Sequence, residues 1–222
     1  MTKRLCCALA ALAVAACASL QPAPPPPNAA AILTSASTAA LAAAIETDAK
    51  RSDHEPDSKT RAELAEDAGR NATACLAREP QSAACLYGRA VAFGLEARAH
   101  PARAGELLNK MLDTLARAES ADPGYDEAGP ARVRALVLIR APGWPLGPGD
   151  ADAGLTAARR AVALRPNYPP NLLALAEASA KTGDGSAARE QYARARDAAL
   201  ILSGAADRDD WLREADQGLK RK

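Results

Sequence analysis

Few side chains in this sequence combine the type and the spacing that chemistry needs. Cys75 and Cys85 stand symmetrically about Pro80 in CLAREPQSAAC. One falls in the last turns of a helix-forming stretch and the other in the first turns of the next. In an antiparallel hairpin such positions face each other, within the roughly 7 Å Cα separation that a disulfide tolerates. In an exported chain they would be oxidised to a disulfide; the alternative is two buried thiols filling small-residue packing positions. Their separation does not suit a redox-active CxxC pair. His54, in SDHEPD, is surrounded by oxygens but matches no metal-ligand spacing, and His100 before Pro101 reads as a capping or surface residue. Asp150 and Asp152 lack the further oxygens of a calcium loop, so Asp150 reads as a helix N-cap. No glycine-rich loop is placed to cradle phosphate. No nucleophile has a base near it in sequence. The chain therefore reads as a binding or structural protein, with no metal, no cofactor and no catalytic residue.

The remaining reactive candidate is Cys17, set between small apolar residues and a proline tract in VAACASLQPAPPPPN. Lys3 and Arg4 precede the apolar stretch Leu5 to Ala16, whose 12 residues are too few to span a bilayer, where about 20 are needed. A basic start, a short apolar core and small residues before a break are the anatomy of a secretory signal. Val14-Ala15-Ala16-Cys17 resembles the lipobox of bacterial lipoproteins. The resemblance implies cleavage before Cys17, acylation of that cysteine, and a membrane anchor of several acyl chains. Ala18, rather than Asp, follows it, which in the sorting pattern of such lipoproteins implies the outer membrane with the domain facing the periplasm. The segment QPAPPPPN cannot be helical, because proline lacks the donor and clashes with the preceding turn. From Ala18 to Ala29 it forms a tether reaching about 37 Å at polyproline rise.

The elements beyond the tether are all helical by pattern. Apolar residues recur at helical spacing, β-branched residues are scarce, and only 3% of residues are aromatic, so helices must pack closely through alanine. The pattern predicts helices near 37–50, 60–78, 82–98, 101–120, 127–140, 151–164, 170–181, 186–202 and 208–220, and no strand. Thr60 and Glu63 are placed to form a capping box, and Pro101 sits at a first helical position. Pro80, Pro123 and Pro166 stand 43 residues apart, twice, each between two helices. A period of this size predicts an α-solenoid of helical hairpins. The division is 1–16 as signal, 17–36 as lipidated N-terminus and tether, and 37–222 as the helical repeat domain.

The last unit resembles a tetratricopeptide repeat, with Leu172, Leu175, Ala176, Ala188, Tyr192 and Ala195 at its signature positions. A wider resemblance covers Glu127 to Ala178, carried by Gly129-Pro130, Arg132, Ala141 to Pro145, Gly149-Asp150, Asn171 and Ala176-Glu177. It is to bacterial repeat lipoproteins related to the T component associated with tripartite (TRAP) transporters. It implies a periplasmic helical-repeat lipoprotein, some relatives being oligomeric. Arg134-Ala135-Leu136 departs from that pattern, where those proteins have Leu-Gly followed by an aromatic.

Inner helices of a solenoid commonly line its concave face, which makes Tyr87, Arg134, Asn171 and Glu177 candidates to contact a partner. Arg132 is a further candidate, or a buried ion-pair partner of Glu177. Trp144, between Gly143 and Pro145, would plug the helix layer or, if exposed, anchor a partner. After loss of Lys3 and Arg4 the chain carries 26 basic and 27 acidic residues, a balance with no long-range field for nucleic acid. The expected function is anchorage plus presentation: a lipid at Cys17, a proline spacer, and a helical surface that recognises a protein partner or another copy of the chain. The alternative is a transporter accessory that holds a small organic solute between helices. Cys17→Ala is expected to move the protein from the membrane fraction to the soluble fraction; unchanged retention would contradict the anchor.

Overall fold

The computed structural model describes residues 36–202 and 204–221. Cys17 and the proline tract lie outside them. Nine α-helices occupy the described residues: α1 Thr38–His54, α2 Ser58–Arg78, α3 Ala83–Ala99, α4 Ala104–Ala121, α5 Tyr125–Arg140, α6 Ala151–Leu164, α7 Pro169–Lys181, α8 Gly185–Ile201 and α9 Arg208–Lys220. A 3-10 turn, Pro101–Arg103, leads into α4. No strand occurs among the described residues; one isolated bridge joins Gly143 and Gly149.

Helix ends follow local chemistry. Ser37, Asp57, Asp150 and Asp184 each accept a hydrogen bond from the backbone three residues on, satisfying a first-turn amide. The cap of α2 is thus Asp57, not the Thr60–Glu63 box. The Asp57 carboxylate takes both the Thr60 amide (2.7 Å) and the Thr60 hydroxyl (2.8 Å), and these bonds hold it below the usual carboxylate range. A charged acceptor one turn earlier outcompetes a hydroxyl. Helix α1 runs past Lys50 to His54 because Arg98 of α3 binds its last turn, at 2.8 Å to Asp53 and 3.1 Å to Ser52.

Successive helices pack against each other, and α1, α3, α5, α7 and α9 also touch their next-but-one neighbours. The odd-numbered helices therefore form one layer and the even-numbered helices the other. Alanines fill the spaces between them: Ala68, Ala72, Ala90, Ala92, Ala135, Ala158 and Ala176 are fully buried. Close approach is obligatory where α6 crosses α5, since a Cβ on Gly154 would lie 2.5 Å from Ile139. The proline turns gather at one end of the layers. Arg165 at the α6–α7 turn reaches Gly124 at the α4–α5 turn, and Tyr87, near the start of α3, packs on Tyr125. The chain enters at this same end, where the Thr38 hydroxyl donates to Glu79 (2.8 Å). Lys50 of α1 lies 3.4 Å from Asp207 before α9, so the odd-numbered layer curves and its first and last members meet.

Cys75 and Cys85 form a disulfide across the α2–α3 turn, with Cα atoms 5.3 Å apart, and both are fully buried beside Leu41. Closing a loop of this length stabilises the fold by about 2–3 kcal/mol through the unfolded chain. The double variant Cys75→Ala/Cys85→Ala is expected to lose stability of that order in urea denaturation and to become insensitive to reductant. An unchanged midpoint, or a reductant-sensitive one, would contradict the assignment.

Candidate functional site

The sequence DPGYDEAGPAR, residues 122–132, bends the backbone in an unusual way. Gly124 donates its amide to the Asp122 side chain (2.8 Å), closing a tight turn after Pro123. Asp126, Glu127 and Ala128 then adopt φ of 46, 52 and 66° with ψ of 51, 46 and 34°. This is a turn of left-handed helix made of three residues with side chains. Cβ–carbonyl crowding makes that cost about 1–2 kcal/mol per residue. Right-handed α5 begins only after it, which is why Pro130 is tolerated there: it occupies a first turn. The expected right-handed start at Glu127 is corrected accordingly. Gly129 is required by space, because a Cβ there would lie 2.6 Å from the Asp126 carboxylate and 3.1 Å from the Tyr87 ring.

A buried polar network holds this turn. The Arg132 guanidinium donates to the Asp126 carboxylate (2.7 Å), to the carbonyls of Asp126 (3.2 Å) and Glu127 (3.3 Å), and to Asn171 Oδ1 (3.1 Å). The fully buried Asn171 amide donates to the carbonyls of Glu127 (2.9 Å), Ala161 (3.3 Å) and Arg165 (3.3 Å). The Tyr87 hydroxyl bonds to the Asp126 carboxylate, and burial pushes its phenol far above the ordinary value. Carbonyls that a left-handed turn would strand inside the protein are thereby paired. Bonds to charged groups contribute about 1.5–3 kcal/mol each, enough together to offset the backbone cost.

The network also sets the walls of a cleft. Glu127, carried outward by the turn, pairs with Arg165 (3.1 Å). The Arg132 guanidinium lies 5.3 Å from the centroid of the Tyr168 ring, and Tyr168 meets Trp211 of α9 edge to face at 5.7 Å. Glu127, Arg165, Pro166, Tyr168, Leu202 and Trp211 line an open cleft of about 470 Å3, with Asn167 on its rim. A neighbouring depression of about 360 Å3 shares Asn167 and Leu202 and is bordered by Ile201, which is 81% exposed. Burial raises the Tyr168 phenol above its ordinary value, so it stays a neutral hydrogen-bond donor. Tyr168 and Trp211 were not singled out from sequence. The signal was present: two residues past the three prolines stand Ser82, Tyr125 and Tyr168, and one more 43-residue step, with Asp209 in place of the proline, reaches Trp211.

Of the residues chosen from sequence, Tyr87, Arg132 and Asn171 come together in the network and face its interior, not the cleft. Arg134 is exposed on α5 and has no ion-pair partner among the described residues. The Arg132–Glu177 ion pair does not form. Asp126 is nearer to Arg132, and Glu177 instead takes a two-pronged contact from Arg140 (2.6–3.1 Å). That contact borders a second, polar cavity of about 430 Å3 with Tyr192, Arg213, Glu214 and Arg221. Burial raises the Glu214 carboxyl above its ordinary value. Trp144 does not plug the layer. It is 91% exposed, with Leu146 77% exposed, at the end opposite the proline turns. The APGWPLGPGD loop closes on itself through Gly149 to Pro142 (2.9 Å) and Leu146 to Gly143 (3.0 Å). Gly154 and Ile139 already fill the α5–α6 contact beneath, leaving no room for an indole. No three His, Cys, Asp or Glu side chains gather as a metal site among the described residues.

No protein-family model matches this chain, and no curated protein matches it.

Arg132→Leu removes the charge that holds the turn and takes a donor from the Asp126 and Glu127 carbonyls and from buried Asn171 Oδ1. A loss of about 2–4 kcal/mol of unfolding free energy is expected from urea denaturation. Glu177→Gln, at a pair whose Arg140 side is half exposed, is expected to cost less, about 1 kcal/mol. Equal effects of the two would contradict the assigned roles.

Proposed function

We propose that this chain is an outer-membrane lipoprotein, anchored through Cys17, whose periplasmic domain is a tetratricopeptide-like solenoid that binds an extended segment of a protein partner. The lipid and the compartment rest on the lipobox resemblance and the signal-like N-terminus. The solenoid reading is supported by the 43-residue period, the two alternating helix layers and the curvature that brings Lys50 to Asp207. The wider resemblance to T-component-related lipoproteins fits the same architecture, since Gly129-Pro130, Arg132 and Asn171 are the residues that build and hold the left-handed turn.

The observation that carries the binding reading is the placement of Glu127. Left-handed residues with side chains persist only where their surroundings impose them, and they gather at binding and active sites. Here the strain delivers a carboxylate to an open cleft faced by Tyr168 and Trp211. Aromatic side chains offer large contact area at low entropic cost and dominate partner recognition. An open cleft with an aromatic wall and a charged rim suits a peptide segment better than an enclosed solute.

A photo-crosslinking amino acid in place of Asn167, activated in intact cells, is expected to capture a polypeptide, and Trp211→Ala is expected to abolish capture without unfolding the protein. Recovery of no polypeptide, with a small organic molecule co-purifying instead, would overturn this reading in favour of a solute-binding accessory role.

A further inference from the structure

The cleft at the proline-turn end matches the chemistry of a segment that the chain itself carries. Its aromatic wall is apolar, its one carboxylate, Glu127, is already paired with Arg165, and the polar groups left over are donors. The Trp211 indole N–H, the Tyr168 hydroxyl and the Asn167 amide make no hydrogen bond to another described residue, although all three line or rim the cleft. A proline run is the complementary ligand, for it has no N–H, presents only carbonyl acceptors, and is already extended before binding, so little entropy is lost on docking. Aromatic-lined grooves are the general means of recognising such segments.

We infer that the cleft formed by Pro166, Tyr168, Leu202 and Trp211 binds proline-rich segments, and that the chain's own QPAPPPPN, residues 21–28, is one such occupant. This rests on the reading of the cleft as a site for an extended peptide. Placement supports it. The described chain begins at Ala36 beside the α2–α3 turn, at the same end as the α6–α7 turn that forms the cleft. Adjacent helices lie about 8–10 Å apart, so two to three steps along the odd-numbered layer span roughly 20–30 Å. The 12 residues separating Pro24 from Ala36 reach about 40 Å when extended. The proline tract thus competes with the partner for Trp211, and an incoming segment must displace it.

Trp144→Phe leaves Trp211 as the sole tryptophan of the chain, which has two. In that background, in the full chain as purified, Trp211 fluorescence is expected to be shielded from acrylamide. Replacing Pro24, Pro25, Pro26 and Pro27 with serine is expected to abolish the shielding, and adding the free peptide QPAPPPPN to restore it. Equal quenching with and without the four prolines, or no effect of the peptide, would overturn the inference. If quenching is equal while the Asn167 crosslink still captures a polypeptide, this inference alone fails. Shielding by the prolines without any captured polypeptide would instead remove the partner reading and leave the intramolecular contact standing.

Discussion

The contact between Arg132 and Asn171 is the constraint from which the working end of the molecule follows. One guanidinium and one amide, both buried, satisfy the carbonyls of a turn that would otherwise be too costly to form. Because Asn171 also binds the carbonyls of Ala161 and Arg165, and Tyr87 binds Asp126, four helices meet on these few atoms: α3, α5, α6 and α7. A buried charge is tolerated here because Asp126 neutralises it and both terminal guanidinium nitrogens have acceptors. Remove the guanidinium and the turn loses its reason to be left-handed, Glu127 loses its position, and Tyr168 loses the cation beneath its ring.

The rest of the fold delivers these groups to one place. Small residues let α5, α6 and α7 approach closely enough for a side chain on one helix to reach the carbonyls of the next two. The proline turns repeat at one end, and Tyr125 and Tyr168 follow two of them at the same offset. Helix α9 packs beside α7 in the odd-numbered layer, which sets Trp211 against Tyr168. The described residues begin at that same end, where Thr38 meets Glu79. A lipid anchored at Cys17 would hold the cleft within a tether's length of the membrane.

The all-helical class and most helix boundaries were legible because prolines, glycines and helical spacing act locally. The stops at Arg78, Arg140, Leu164 and Lys220 need only the neighbouring residues to be understood. The start of α2 was misread by one turn because Asp57 and Thr60 are both good caps, and only their relative charge separates them. The left-handed turn was hidden because Asp126, Glu127 and Ala128 are ordinary residues with no local preference for it. Its cause lies partly in Arg132 and partly in Asn171 and Tyr87, which are distant in sequence. Gly129-Pro130 and Arg132 were noticed as a pattern, but a pattern does not say which way the backbone turns. Trp144 reads from sequence as a plug or as an exposed anchor; the self-closing glycine loop that displays it depends on backbone bonds that no residue type announces.

The central claim is that Glu127 sits in left-handed backbone and reaches the cleft from there. Comparing Glu127→Gly with Glu127→Ala by urea denaturation tests it most directly, since both remove the same carboxylate. In left-handed backbone the glycine variant is the more stable, by about 1–2 kcal/mol, because it lacks the Cβ that crowds the carbonyl. In right-handed helix the order reverses, with alanine favoured by about 1 kcal/mol. A more stable glycine variant is the result predicted here; a more stable alanine variant would contradict it.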